Sequence, residues 1–204
     1  NESGFSFARY GSEISEIYTH FSELSKTPNF KHADTIIIAS RYDLEDVASL
    51  NQVIEKFIEA GKDIIVVKNI HEFPEYRTRS WTLADFIAYV VRDDKSYAGD
   101  EVLANHINSE YFNAYSTNET TTRVDFTGSV KEINEALALT VKNFPDVTLL
   151  DRMDYVCKPA LKQCSGVNQS LEKLFYDYGH HTLAGAKYFG EEVSRINWLD
   201  PYKE

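Results

Sequence analysis

The sequence is poor in basic side chains. Lys and Arg together number 21 against 32 Asp and Glu, so the formal net charge is −11 at pH 7. Neither a nucleic acid nor an anionic membrane surface would attract such a chain, and we therefore expect no nucleic-acid partner. The same charge balance does not exclude neutral sugars as ligands.

Long apolar segments are also absent. No apolar run approaches the ~20 residues of a membrane span, and no signal peptide opens the sequence. The first residues, Asn1-Glu2-Ser3, include no Met, so we expect a processed or excised part of a longer protein. With 204 residues, 43% of them hydrophobic, the chain can bury a substantial core. Because the sequence contains no repeats and no linker-like composition, we expect one domain over residues 1–204.

Cysteine is scarce, with only Cys157 and Cys164, and a loop containing Pro159 separates them. The two side chains could be buried thiols, a lone pair of metal ligands or a short-loop disulfide. No partner pattern of Cys and His makes a zinc site. We favour the disulfide, which implies an oxidising compartment.

The segments that are present alternate between strand and helix patterns. Short apolar runs rich in β-branched residues predict buried parallel strands at Asp34–Ser40, Ile64–Val67 and Val147–Leu150. Asp43 and Ser129 are candidate N-caps, and Gly61 is placed to end a helix. This order predicts an α/β fold, a three-layer α/β/α sandwich around a mostly parallel sheet.

The middle of the chain is less informative. Residues 69–80 read as a polar loop at the carboxyl end of the second strand, where ligand sites of open α/β sheets collect. Residues 102–115 read as weakly helical. We expect this section to be an insertion or an excursion on the substrate side.

An Asp and a His stand three residues apart close to the C-terminus. Asp177 and His180 lie on a short turn that contains Gly179, and Thr182 then starts a helical pattern. A carboxylate so close to an imidazole can accept its Nδ1 proton, which leaves Nε2 free to deprotonate a nucleophile. The spacing suits the base half of a serine-hydrolase triad, although a solvated turn would carry the same residues. His181 is a second imidazole here, but the spacing favours His180 as the base.

The segment Asp177-x-x-His180, followed by Thr182 and Gly185-Ala186, resembles the last conserved block of the SGNH/GDSL hydrolases. More narrowly, it is similar to the SGNH domain at the C-terminus of membrane acyltransferase-3 proteins, which O-acetylate bacterial surface polysaccharides. That subfamily usually has Leu at the position of His181. Its SGNH domains often carry a Cys pair just before this block, which agrees with a disulfide between Cys157 and Cys164.

Two further blocks fit the resemblance, and both are less specific. Residues 33–42 are similar to the family's strand that ends in a small residue, an Arg and an aromatic. Arg41 is therefore a candidate for the oxyanion or substrate site, or equally a surface residue after a strand. Ordinary SGNH enzymes place an Asn near here, and both the subfamily and this chain lack it. The second block, Gly61–Pro74, runs from a helix end through a strand into a loop.

The nucleophile block of the family, Gly-Asp-Ser after a strand, does not occur in this sequence. Ser3 has no strand before it, and Ser12 lies inside a helical pattern. We expect the first strand and the Ser to lie upstream, so that these residues supply the base and its orienting carboxylate.

The resemblance implies an O-acyltransferase domain that moves an acetyl or other short acyl group to a bacterial surface polysaccharide by Ser-His-Asp chemistry. It implies a link to an integral-membrane acyltransferase domain and a periplasmic, membrane-tethered location. We expect no metal or nucleotide cofactor. The alternatives are a free-standing carbohydrate acetylesterase and a non-catalytic carbohydrate-binding or assembly module. For the module, the candidate sugar platforms are Tyr42, Trp81, Tyr111 and Tyr115.

Overall fold

The computed structural model of the protein describes residues 21–76, 81–120 and 128–199. These residues form two compact units. The first unit comprises residues 21–69 and 128–150, and the second comprises residues 70–76, 81–120 and 151–199.

The α-helices with both ends among the described residues are α1 (Pro28–His32), α2 (Leu44–Glu59), α3 (Leu83–Val91), α4 (Asp100–Thr117), α5 (Val130–Val141), α6 (Met153–Val156) and α7 (Leu183–Arg195). The strands are β1 (Thr35–Ala39), β2 (Asp63–Val67), β3 (Glu75–Tyr76), β4 (Trp81–Thr82), β5 (Val147–Leu150), β6 (Cys157–Lys158) and β7 (Gln163–Cys164). None of the described helices is both long and apolar enough to cross a membrane.

The first unit is built on a parallel sheet of three strands in the order β1-β2-β5. All three strands were predicted from their apolar β-branched runs, and the α/β class with a parallel sheet is confirmed. The order advances in one direction across the sheet, so right-handed crossovers place α2 and α5 on the same face. The two helices do pack against each other, and they also contact β2 and β5, respectively.

The predicted helix boundaries of this unit are confirmed by their caps. The Asp43 side chain accepts the N–H of Asp46, whose own carboxylate accepts the N–H of Asp43, which completes a capping box. Ser129 caps α5 in the same way with Glu132. Gly61 follows the last residues of α2 with φ +72, a conformation that glycine adopts without a Cβ penalty.

The second unit is mainly helical, with two-stranded ribbons at β3–β4 and β6–β7. Its core is a cluster of large side chains that includes Phe73, Tyr111, Leu174, Phe175 and Phe189. The described part of residues 69–80 differs from the polar loop that was predicted. Asn69, His71, Glu72 and Phe73 are buried, and Glu75–Tyr76 pair with Trp81–Thr82. The weakly helical stretch at residues 102–115 is part of the 18-residue helix α4.

Candidate active site

The Asp-His turn is a tight loop in the second unit, between the buried core and α7. Phe175 and His181 form an antiparallel bridge, and the N–H of Tyr176 donates to the carbonyl of His180 at 3.0 Å. These pairings close the loop over residues 176–180. The N–H of Phe73 also donates to the carbonyl of Tyr178 at 2.8 Å, which ties the loop to the core.

One carboxylate organises the interior of this loop. Asp177 Oδ1 accepts the backbone N–H of Gly179 at 3.0 Å and that of His180 at 2.8 Å. Its other oxygen, Oδ2, lies 2.8 Å from Nδ1 of the His180 ring. Asp177 therefore binds both the backbone N–H and the imidazole ring of His180, the histidine that its spacing predicted as a partner.

The exposure of the two partners differs in a way that suits acid–base chemistry. The Asp177 side chain is 20% exposed and the His180 side chain 56% exposed. An imidazole in this position can be reached by another group while its carboxylate stays shielded. The catalytic role of Asp177 and His180 remains a prediction, but their mutual geometry is the one that role requires.

Hydrogen bonding keeps Asp177 in its charged form. Burial alone would raise the pKa of its carboxyl, but the donated N–H groups of Gly179 and His180, together with the His180 ring, lower that pKa below its ordinary value. An ionised Asp177 can accept the Nδ1 proton and stabilise the imidazolium that forms during proton transfer.

Two tyrosines hold the His180 ring from the sides. The Tyr176 ring stacks on it at 5.5 Å with an interplanar angle of 15°, and the Tyr178 ring meets it edge to face at 5.3 Å. Neither tyrosine was predicted from the sequence to have a role at the site. The alternation Tyr-Asp-Tyr before the histidine was the available signal, because flanking aromatics can restrict an imidazole.

His181 has a different environment from His180. The residue is half-buried, and its ring centroid lies 5.2 Å from that of Phe175 and 4.5 Å from that of Phe189, two side chains of the apolar core. Burial, reinforced by Arg152 and His180, lowers the pKa of His181 to about 4. Its Nε2 is buried and has no hydrogen-bond partner among the described residues. The structure thus pairs Asp177 with His180, and leaves His181 half-buried against two core aromatic rings.

The helix after the loop is seated by its first turn. Thr182 Oγ1 accepts the N–H of Gly185 at 2.9 Å and donates to the carbonyl of Lys173 at 2.6 Å. A Cβ at Gly185 would clash with the backbone carbonyl of Leu174. The Thr182 hydroxyl and Gly185 therefore have a packing function. Together they allow α7 to approach residues 173–174, which precede the Asp177–His180 pair, here called the dyad.

Cys157 and Cys164 form a disulfide, as predicted. They are opposite residues in the register of β6 and β7, so the bond closes a short hairpin. Both cysteines are buried.

Arg41 lies in the first unit, two residues after the end of β1, and is exposed. The next residue is fixed: the N–H of Tyr42 donates to Asn69 Oδ1, and Asn69 Nδ2 donates back to the Tyr42 carbonyl, both at 2.9 Å. Asn69 also exchanges two hydrogen bonds of 2.9 Å with the side chain of Asn134. This amide network was not predicted from the sequence, and the role of Arg41 remains a prediction.

The remaining predicted residues are placed as follows. Tyr42 and Tyr111 are 0% and 1% exposed, so the expectation that they act as sugar platforms is wrong. Trp81 and Tyr115 are half-buried, in contact with the Tyr89 and His71 rings, respectively. Ser3 and Ser12 lie outside the described residues. Within the described ranges, no group of three or more His, Cys, Asp or Glu side chains could hold a metal ion.

Comparison with known proteins finds one family. A family model described as "SGNH domain (fused to AT3 domains)" matches residues 15–195. No curated protein and no solved structure matches the chain. The matched range includes the dyad loop, the disulfide and Arg41, and it covers well over half of the sequence.

Proposed function

Because the chain belongs to the family of SGNH domains fused to AT3 domains, we propose that it is an O-acyltransferase domain. Its substrate is an acetyl or other short acyl group, and its acceptor is a bacterial surface polysaccharide. The chemistry is of the Ser-His-Asp type, with Asp177 and His180 as orienting carboxylate and general base.

One observation carries this proposal: the 2.8 Å contact between His180 Nδ1 and Asp177 Oδ2 on an exposed imidazole. With the Nδ1 proton donated to the carboxylate, Nε2 carries the lone pair that a general base needs. The two tyrosine rings limit rotation of the imidazole, so that lone pair keeps a defined direction.

Acylation of the enzyme is the first half of the proposed reaction. A serine hydroxyl attacks the carbonyl carbon of the acyl donor while His180 Nε2 takes the serine proton. Asp177 stabilises the imidazolium. The tetrahedral intermediate then collapses, the bond to the leaving oxygen breaks, and His180 returns the proton to that oxygen. The product is an acyl-serine ester.

Transfer to the acceptor is the second half. A sugar hydroxyl gives its proton to His180 and attacks the ester carbonyl. The serine leaves and regains its proton, and the acyl group ends on the sugar oxygen. Water in place of the sugar gives hydrolysis from the same intermediate, which is the reaction of the alternative acetylesterase. The serine that this scheme requires is not in a Gly-Asp-Ser block of this sequence, so we place it upstream, on a preceding strand.

We propose a periplasmic location, and the disulfide supports it. A bond between Cys157 and Cys164 persists in an oxidising environment such as the bacterial periplasm. The description of the family, in which the SGNH domain is fused to AT3 domains, supports a preceding integral-membrane acyltransferase domain that tethers this one.

The proposal is tested in the longest natural polypeptide that contains this sequence. Cells carrying the natural gene, its His180→Gln variant or a His32→Gln control are grown, and the alkali-labile acetyl groups of their surface polysaccharide are quantified by proton NMR. His32 is an exposed residue of the first unit. We expect His180→Gln to remove at least about 99% of the acetyl groups, because loss of a triad member costs orders of magnitude in rate, and His32→Gln to remove none. Unchanged acetylation in His180→Gln would contradict the proposal.

The absence of Gly-Asp-Ser favours a second candidate, the non-catalytic carbohydrate-binding module. Hydrolysis of p-nitrophenyl acetate by the purified 204-residue chain separates the possibilities. Turnover that disappears with His180→Ala would place the nucleophile in this sequence and make Ser3 and Ser12 the residues to test. If the purified chain shows no turnover that depends on His180, but acetylation in cells requires His180, the serine lies upstream.

A further inference from the structure

A cavity of about 380 Å³ opens in the second unit, and its lining includes neither Asp177 nor His180. Its size falls within the usual range of small-molecule sites. One stripe of α4, the β6–β7 hairpin, the loop at residues 165–170 and α7 line it. None of the functions argued above makes use of it.

The side chains around the cavity are polar but nearly uncharged. Five amides line it (Asn105, Asn108, Gln163, Asn168 and Gln169), with hydroxyls from Ser165, Ser170 and Tyr188. Charge is limited to one glutamate, Glu101, and one lysine, Lys158, whose Nζ lies 3.6 Å from Glu192. Such a lining offers both donors and acceptors without a net charge.

The wall is held in place before any ligand arrives. Asn108 Oδ1 accepts the N–H groups of Gly166 and Val167 at 2.9 and 3.0 Å, and its Nδ2 donates to the Val167 carbonyl at 3.1 Å. Asn168 Oδ1 accepts two further N–H groups of the same loop. The Cys157–Cys164 bond closes the neighbouring hairpin. A rigid wall reduces the entropy that binding must overcome.

Some hydrogen-bonding capacity remains for a ligand. Gln163 Nε2 donates to Asn105 Oδ1 at 3.2 Å, which leaves the Asn105 amide nitrogen and the Gln163 carbonyl oxygen of this pair for other groups. Leu161, 64% exposed, supplies apolar surface. A sugar presents the matching pattern, with hydroxyls at its edge and C–H groups on its faces.

We propose that this cavity is a binding subsite for a neutral carbohydrate. A neutral ligand agrees with the balanced lining and with a chain of net charge −11, which would repel a polyanion. Tyr188 lies six residues beyond Thr182 on α7, about 9 Å along the helix axis. The subsite would therefore hold one part of the acceptor polymer while another sugar of the same polymer reaches His180. This assignment to the acceptor rests on the proposed function, whereas sugar binding itself does not.

Binding is measured by NMR on the ¹⁵N-labelled 204-residue chain. The probes are maltotriose, cellotriose, mannotriose and galactotriose, each raised to about 20 mM so that binding with a Kd in the millimolar range is detected. We expect at least one trisaccharide to shift the side-chain amide signals of Asn105 and Gln163. The double variant Asn105→Ala/Gln163→Ala should weaken that binding at least about tenfold without changing the unfolding midpoint. Asn113→Ala, an exposed amide elsewhere on α4, should leave binding unchanged.

The subsite is wrong if no trisaccharide shifts these signals, if binding survives the double variant, or if the anionic trigalacturonic acid binds more tightly. The two proposals can fail separately. Acetylation that depends on His180 without sugar binding would retain the proposed function and remove the subsite. Sugar binding without His180-dependent acetylation would retain the subsite and remove the proposed function.

Discussion

The carboxylate of Asp177 serves its own loop and the neighbouring imidazole at once. One oxygen accepts two backbone N–H groups, and the other meets His180 Nδ1 at 2.8 Å. Asp177 can make all these contacts within three residues of the chain because the hydrogen bond between Tyr176 and His180 closes the turn. The dyad therefore depends on local geometry, and single substitutions can test it without disturbing distant packing.

We expect Asp177→Asn to retain the loop and lose the chemistry. The amide oxygen can still accept the backbone N–H groups, but an NH₂ facing Nδ1 would hold the imidazole in the wrong tautomer. The rate of acyl transfer by the natural polypeptide should fall about 10³–10⁴-fold. Asp146→Asn, on an exposed turn of the first unit, is the control. A loss smaller than about tenfold would show that Asp177 does not orient the base.

At His181 we expect a substitution to stabilise the protein. His181→Leu replaces a half-buried imidazole, whose buried Nε2 is without a partner among the described residues, by an apolar side chain beside Phe175 and Phe189. The free energy of unfolding at pH 7 should rise by about 1 kcal/mol, and acyl transfer should persist. Loss of transfer with an unchanged fold would mean that the wrong histidine was chosen as the base.

At the scale of elements, α7 and the β6–β7 hairpin lie in the same unit as Asp177 and His180. The first turn of α7 packs directly on the backbone of Leu174, and this approach is open only to glycine at position 185. The hairpin is covalently closed by its cysteines. The packing of α7 and the disulfide of the hairpin can each be tested separately.

Two glycines of α7 form a matched pair. Gly185→Ala would drive its Cβ into the Leu174 carbonyl, whereas a Cβ at Gly190 meets nothing within 4 Å. We expect Gly185→Ala to lower the free energy of unfolding by at least about 2 kcal/mol. Gly190→Ala should raise it by about 0.5–1 kcal/mol, since alanine is the better helix former. Urea unfolding measures both, and equal effects would contradict the packing argument.

The hairpin predicts the behaviour of its thiols. Under oxidising conditions, the denatured protein should react with a maleimide only after reduction, because Cys157 and Cys164 are the sole cysteines and are bonded to each other. Mass spectrometry counts the adducts. Two freely reactive thiols in protein isolated from its native compartment would remove the argument for a periplasmic location.

For the molecule as a whole, buried histidines link stability to pH. His71 is 4% exposed, and its Nε2 lies 3.0 Å from the Glu119 carbonyl. Burial lowers the pKa of His71 to about 4, against an ordinary 6.5. Between these values the unfolded chain binds a proton that the folded chain does not. The contribution of neutral His71 is therefore complete above pH 6.5 and is lost as the pH falls towards 4.

His71→Gln should reduce this dependence while keeping a donor for the Glu119 carbonyl. Between pH 7 and pH 5, we expect the natural chain to lose about 1–2 kcal/mol more unfolding free energy than the variant. Chemical unfolding at the two pH values, followed by tryptophan fluorescence, gives the comparison. Equal losses would show that His71 is not a buried neutral group.

The sequence by itself determined the features that depend on residues close together in the chain. The strands β1, β2 and β5, the caps at Asp43 and Ser129, and the i, i+3 spacing of Asp177 and His180 follow from periodicity and short-range hydrogen bonds. The family resemblance rests on the same local pattern, and the family match bears it out.

Long-range packing decided the rest. It packed the His181 ring against Phe189, buried Tyr42 and Tyr111 instead of exposing them, and enclosed the polar segment around Glu72 and Phe73. It also gave Gly185 its close contact with Leu174 and brought α4, the hairpin and α7 together around the cavity. None of these could be predicted from composition or spacing, because each is created by segments far apart in the sequence that compete to be removed from water.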